Sequence, residues 1–290
     1  MRFASSFLST RARPPILHLD PSSTYSEETH VSREVTDIDD EKSLSAYLTE
    51  AASPPDAERP PPSRAVLLLP GARGWRDART RRLADRIALY CLALVCIPDI
   101  HRGGAPMPLG QSPPTERVQS DVRSASLYLR ADHRVGALAL LGADSGGDSF
   151  ILNSLAADAP AIGAAAGVAL CCGATTASDK RRANELAALP QEDSNAAPLL
   201  LLFDKTGEGD DAAAASARSS LGLEEKSAGG GRDGGSMVMQ FEGLGKAMGE
   251  AEEEEAEEVS FESEDALIMA EAFLNLHLAR AEAARGSGGR

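Results

Sequence analysis

The chain has few aromatic residues, few cysteines, a deficit of positive charge and no long hydrophobic run. Aromatics make up 4% of its 290 residues, with a single Trp, so any core must be filled with aliphatic side chains. Cys91, Cys96, Cys171 and Cys172 all sit inside apolar runs. None forms a Cys-x-x-Cys pair backed by a second Cys or His cluster, which argues against a zinc site or a disulfide framework and for reduced, buried thiols. No metal or cofactor motif is present, so neither is expected. The longest apolar stretches, Ile87 to Ile97 and Ala161 to Cys172, fall short of the roughly 18 residues that suggest a bilayer span. Lys and Arg number 29 against 44 Asp and Glu, a formal charge of −15, the wrong sign for gripping a phosphate backbone. Nucleic acid and membrane are therefore not expected partners. What remains, 42% apolar and 25% charged, describes a soluble globular protein.

The acidic excess is local. Glu250, Glu252 to Glu255, Glu257, Glu258, Glu262, Glu264 and Asp265 put ten acids and no base into one tract, which leaves the rest of the chain at about −5. Residues 1–32 are polar, carry Pro14 and Pro15, show no sustained period, and are expected to form a disordered extension. The start, Met1 to Arg13, has Arg and Ser, no acid and no long apolar h-region, so a secretory signal is not expected. A cytoplasmic location is expected, with a mitochondrial or plastid one as the alternative if residues 1–19 are a presequence.

From residue 33 to about 284 the chain reads as one α/β domain. Leu44 to Leu48 alternates as a half-buried strand does, and a Pro-rich connection, Ser53 to Ser63, follows it. Ala65 to Leu69, closed by Pro70-Gly71, has the look of a strand covered on both faces. Leu83, Ala84, Ile87, Ala88 and Cys91 recur at helical spacing, and Leu94 to Ile97 forms the next strand, stopped by Pro98-Asp99. A second amphipathic helix carries Val118, Val122, Ala125 and Leu129, followed by a strand over Ala137 to Leu141, a glycine-rich turn and a helix from about Ser149. Gly167 to Cys171, Leu199 to Phe203 and Met237 to Phe241 read as strands, and a last helix is expected over Asp265 to Ala284. Such alternation predicts a mainly parallel sheet covered by helices on both faces. Two interruptions are expected: a disordered low-complexity insertion at 205–236 and the solvated acidic tract at 250–264. Residues 285–290 are expected to be a disordered tail.

Leu138-Ala139-Leu140-Leu141-Gly142-Ala143-Asp144-Ser145-Gly146-Gly147 runs an apolar strand into a tight glycine turn and then a helix, the context of a nucleophile elbow with Asp144 at its centre. Here the chain resembles the dienelactone hydrolases of the α/β-hydrolase superfamily, over most of residues 43–278. Ser45 to Leu48 resembles the family's first strand and Leu69-Pro70-Gly71-Ala72-Arg73-Gly74 its oxyanion loop. Val95-Cys96-Ile97-Pro98-Asp99-Ile100 resembles its Pro-Asp strand end. Tyr128 to Ala131 with Arg134 to Gly136 is similar to the segment before the elbow, and Ala164 to Gly173 to the strand after it. The resemblance implies a single α/β-hydrolase domain with a Cys or Ser nucleophile, an Asp and a His, acting on esters or lactones.

All three triad positions depart from that pattern. The nucleophile position holds Asp144; the acid position is Gly207 in strict register, or Glu208 or Asp210 by a shift; and the His position is Lys246. A carboxylate attacking an ester would form a mixed anhydride, and Asp, ionised above a pKa of about 3.9, is a weak nucleophile. In the related haloalkane dehalogenases and epoxide hydrolases an elbow Asp displaces at an alkyl carbon, but that chemistry still needs a His. Lys246, with a reference pKa of about 10.4, is protonated at neutral pH unless strongly desolvated. His18, His30, His101, His133 and His277 read as surface or helix-packing residues. Asp144 and Lys246 could instead pair as buried charges, while the backbone N–H groups of Ala72 and Ser145 keep the oxyanion positions.

The leading expectation is a dienelactone hydrolase-like protein with impaired catalysis that retains a pocket for a small ester, lactone or other anionic ligand. The alternative is an active ester or lactone hydrolase that uses Ser145 or Asp144. A further alternative is an interaction protein whose acidic tract binds a protein partner.

Overall fold

The computed structural model describes residues 30–39, 44–52, 62–104, 113–143, 147, 149–155, 162–171, 197–204, 210–221, 235–241 and 261–287. Its strands are β1 His30–Asp39, β2 Leu44–Ala51, β3 Arg64–Leu69, β4 Leu94–Pro98, β5 Ala137–Gly142, β6 Ala164–Cys171, β7 Leu199–Asp204 and β8 Met237–Phe241. Its helices are α1 Ala78–Cys91, α2 Thr115–Ala131, α3 at 149–155, α4 Asp210–Ser220 and α5 Phe261–Ser287. The strands form one eight-stranded sheet in the order β1-β2-β4-β3-β5-β6-β7-β8. β2 is antiparallel to both of its neighbours, and every pairing from β4 through β8 is parallel.

The two-residue period of the strands builds two cores. Ala65, Leu67 and Leu69 of β3, Leu138 and Leu140 of β5, and Leu199, Leu201 and Phe203 of β7 point to one face. There they meet Val118, Val122, Ala125 and Leu129 of α2, the apolar side of α3, and Ala214 and Ala217 of α4. Val66, Leu68, Ala139, Leu141, Leu200 and Leu202 point to the other face, against Leu83, Ile87 and Ala88 of α1 and Ala266, Ala270, Phe273, Leu274 and Leu278 of α5. Covered on both sides, the central strands can be continuous runs of Leu, Val and Ala, as the sequence shows. No described helix is long and apolar enough to cross a membrane.

Four expectations are corrected. The segment from Leu44 is not half-buried: Ala46 and Leu48 enter one core and Tyr47 the other, because β1 places it inside the sheet. β1 begins at His30, within the stretch read as an extension. Its charged residues and exposed Val31 hide it, and backbone pairing to β2 holds it. α4 lies within the segment read as a disordered insertion, since an alanine run has high helix propensity and Ala214 and Ala217 are fully buried. α5 starts inside the acidic tract and runs into the expected tail, and Glu264 near its start is held by Arg86. Residues 1–29, 205–209, 222–234 and 250–260 lie outside the described residues.

Local signals set the helix ends. The Asp77 carboxylate caps α1, accepting from the backbone N–H groups of Arg79 at 3.1 Å and Thr80 at 3.0 Å. α1 is tied to β1 and β2 through Asp85, which accepts from the Tyr47 hydroxyl at 3.0 Å and lies 3.3 Å from His30 Nε2. It is tied to α5 by Arg86, which donates to both oxygens of Glu264 at 2.7 and 2.8 Å and, through Nε, to Glu271. Burial raises the Glu271 carboxyl above its ordinary range, and Arg86 opposes that rise. For Arg86, burial alone would lower the pKa, but the two carboxylates hold it above its ordinary value. Burial raises the thiols of Cys91 and Cys96 to about 12, so both stay protonated, unreactive core residues.

Removing Arg86 strands a carboxylate of which 6% is exposed. Arg86→Met is expected to destabilise the fold by about 3–5 kcal/mol, and Arg86→Met with Glu271→Met to recover most of that loss. With Arg86 gone, the folded-state pKa of Glu271 lies further above its unfolded value. Stability is then retained at low pH and lost as pH rises, so the deficit is larger at pH 8 than at pH 5. Urea unfolding at the two pH values checks this, and a pH-independent deficit contradicts it.

Candidate functional site at the carboxyl ends of the parallel strands

Open parallel sheets carry their sites beyond the carboxyl ends of the strands, where loops from neighbouring strands converge. In this chain β3, β4 and β5, adjacent in the sheet, deliver three such segments: Pro70–Trp75, Asp99–Gly104 and Gly142–Gly147.

The segment after β5 is defined by close backbone approach. A Cβ on Gly142 would stand 2.4 Å from the Gly147 carbonyl oxygen and 2.7 Å from Ile151 Cγ1. One on Gly147 would stand 2.6 Å from the Leu69 carbonyl oxygen. Glycine is therefore required at both places, as a sharp strand-to-helix crossing demands. The Ala143 N–H donates to the Leu69 carbonyl at 3.1 Å, so the turn after β5 and the loop after β3 share one backbone contact.

The loop after β3 contains Ala72, the one sequence-predicted oxyanion residue that lies among the described residues. Ala72 is 7% exposed, and its N–H makes no hydrogen bond among the described residues. The preceding carbonyl, Gly71, accepts from the Gly74 N–H at 3.2 Å and faces His101 Nε2 at 3.1 Å. Trp75 closes the loop, buried against the α1 face and flanked by the guanidinium groups of Arg76 and Arg81.

His101 comes from the segment after β4, whose turn is built around Asp99. That carboxylate, 4% exposed, accepts from the backbone N–H groups of His101 at 3.2 Å and Gly103 at 2.5 Å. Arg102 takes a left-handed φ of 56°, and its guanidinium binds the fully buried Asp121 of α2.

The expectation that His101 is a surface or helix-packing residue is thus corrected: it packs against the loop that holds Ala72. The other described histidines lie elsewhere. His30 opens β1 beside Asp85, and His133 precedes β5 with its Nε2 3.2 Å from the Tyr128 hydroxyl. His277 is buried on α5 against Phe273, where burial first and the neighbouring Arg280 second hold its pKa below the ordinary value. It sits between Asn275 and Glu282, both bound to Arg64 at the start of β3, and so belongs to the opposite end of the sheet. His18 lies outside the described residues, as do Asp144, Ser145, Glu208 and Lys246. The strands leading to the last four, β5, β7 and β8, end at the same edge of the sheet.

This sheet, its two helical layers and the glycine turn after β5 constitute the α/β-hydrolase fold. No family model and no curated protein matches the sequence, but many solved structures share its architecture. A fungal esterase from Rhizomucor miehei superposes with a TM-score of 0.57 at 13% identity, over 92% of this chain and 94% of the other. A PEG-bound, cold-adapted esterase from an Arctic intertidal metagenomic library gives 0.56 at 11% identity, over 86% and 95%. Brefeldin A esterase, a bacterial homologue of human hormone sensitive lipase, gives 0.55 at 11%, over 88% and 79%.

The contacts at the turn rank its glycines. Gly142→Ala is expected to cost about 3 kcal/mol, because the new methyl meets backbone that cannot move aside. Gly103→Ala meets no atom but has a φ of +72°, and is expected to cost about 1 kcal/mol. Gly286→Ala, on the exposed end of α5, is expected to stabilise by a few tenths of a kcal/mol. Thermal unfolding of the three variants checks the order, and a Gly142→Ala protein as stable as the parent contradicts it.

Proposed function

We propose that this protein is a dienelactone hydrolase-like member of the α/β-hydrolase superfamily. In this reading its site binds a small ester, lactone or other anionic ligand and hydrolyses it poorly or not at all. One observation supports the reading: β5 ends in a crossing so tight that it requires Gly142 and Gly147, and the sequence puts a carboxylate, Asp144, at the expected nucleophile position between them. The glycine crossing at Gly142 and Gly147 and the N–H of the buried Ala72, which has no hydrogen-bond partner among the described residues, support this frame. By resemblance to the family, the nucleophile position reads as Asp144, the base position as Lys246 and the acid position as Gly207, or Glu208 or Asp210 by a shift.

The chemistry follows from those residues. Backbone donors at Ala72 and Ser145 stabilise negative charge on a bound oxygen without the help of any side chain. A ligand carbonyl or carboxylate is held there, but an ionised Asp144 is a weak nucleophile toward an ester carbonyl, and its attack would have to expel the alkoxide and form a mixed anhydride. A Lys246 with its reference pKa of about 10.4 is protonated at neutral pH and takes no proton from water unless strongly desolvated. Binding thus survives the loss of the steps that consume the ligand.

A second reading, ester or lactone hydrolysis with Ser145 as the nucleophile and Lys246 as its base, is favoured by one specific contact. The glycine that meets both β5 and β3 is Gly147, two residues after Ser145, with the small Ala143 two residues before it. Turnover of p-nitrophenyl acetate by the purified protein separates the two readings. The first expects wild-type turnover at the solution background, unchanged by Ser145→Ala. It also expects at least a roughly tenfold gain in Asp144→Cys combined with Lys246→His, since a nucleophile with a general base is worth 10²–10⁴ when well placed. Wild-type turnover that disappears in Ser145→Ala contradicts the first reading and supports the second.

A further inference from the structure

The geometry points to His101 as the residue that aims the Ala72 N–H into the site; this rests on the oxyanion role proposed for Ala72. His101 would then be a positioning residue, acting through the peptide between Gly71 and Ala72 and not on the ligand itself.

The link runs through that peptide. Its planarity fixes the Ala72 N–H opposite to the Gly71 carbonyl, so whatever orients the carbonyl orients the donor. Two groups hold that carbonyl: the Gly74 N–H at 3.2 Å and His101 Nε2 at 3.1 Å. A carbonyl oxygen only accepts, so Nε2 carries the hydrogen. The Gly74 bond is local to the loop and moves with it. The His101 bond comes from another strand end, thirty residues away in sequence, and ties the loop to a fixed point.

That point is itself anchored in the fold. The His101 backbone is bonded to the buried Asp99 carboxylate, and the next residue, Arg102, is bound to the fully buried Asp121 of α2. The ring itself lies against Gly74, where a Cβ would come within 3.1 Å of His101 Cδ2. Gly74 has a φ of +80°, so a glycine there both permits the turn and leaves room for the ring. Nδ1 is buried without a hydrogen-bond partner among the described residues, so the Gly71 bond is the polar contact that orients the ring. Catalytic and binding donors lose much of their value when misdirected, because their strength depends on alignment at about 2.7–3.1 Å.

Two variants isolate this role. His101→Leu keeps similar bulk without a donor; His101→Gln keeps an N–H that can reach the Gly71 carbonyl. The first measurement needs no ligand: the amide ¹⁵N resonance of Ala72 and the carbonyl ¹³C resonance of Gly71 in the intact chain. Both should shift in His101→Leu and return toward wild-type values in His101→Gln, with the two variants matched in circular dichroism. The second is titration with methyl butylphosphonate, a stable anionic mimic of a tetrahedral ester intermediate. Wild type should bind with a shift of the Ala72 amide, His101→Leu should bind on the order of tenfold more weakly, and His101→Gln should recover to within about threefold. If His101→Leu leaves both resonances in place, His101 does not orient the peptide, whatever the ligand result. If the resonances respond as expected but wild type does not bind phosphonate, the positioning of the peptide stands and the anion-binding reading of the site fails. Equal affinity in all three proteins, with the resonances shifted, overturns the claim that aiming Ala72 matters for binding.

Discussion

The approach of three backbone segments, Gly142, Gly147 and Leu69, is the constraint on which the site depends. With Cβ positions falling 2.4 and 2.6 Å from carbonyl oxygens, no other residue type fits at either glycine. The crossing brings the end of β5 against the end of β3 and starts α3 directly above the sheet. The Ala143 bond to Leu69 and the Gly147 contact with the same carbonyl set the spacing between the elbow and the loop that carries Ala72. A chain can lose the side chains of a catalytic site while this backbone frame is kept, because the frame rests on glycine and hydrogen bonds and not on the reactive groups.

A second layer of polar contacts holds the frame. Asp99 organises the turn after β4, Arg102 anchors it to Asp121, and His101 reaches across to Gly71. On the other side of the sheet Arg86, Glu264 and Glu271 lock α5 onto α1. These buried or half-buried ion pairs couple elements far apart in sequence, and each is costly to break from one side only. They also explain how the last helix is held beneath a sheet that is otherwise packed by small aliphatic side chains.

Much of this was legible in the sequence. The central strands are aliphatic runs, mostly of Leu, Val and Ala and closed by Pro, Gly or Asp at several ends, and the glycines at 142 and 147 announce the turn. Less legible were the elements held by backbone pairing or by intrinsic propensity. β1 is a charged edge strand whose side chains give no apolar run, and α4 is an alanine-rich helix whose composition reads as low complexity. His101 was invisible for a different reason. Its significance lies in a bond to a carbonyl thirty residues upstream, and the only local sign was its place just after the Pro98-Asp99 strand end, beside the left-handed Arg102-Gly103 pair.

The proposed function requires that the elbow carry no activated nucleophile. The most direct measurement is the intact mass of the protein after incubation with an alkyl fluorophosphonate. That reagent is attacked at phosphorus by an activated serine oxygen with loss of fluoride, leaving a stable phosphonyl ester. An unchanged mass is expected under conditions in which an active serine esterase is fully labelled. A stoichiometric adduct that maps to Ser145 would contradict it.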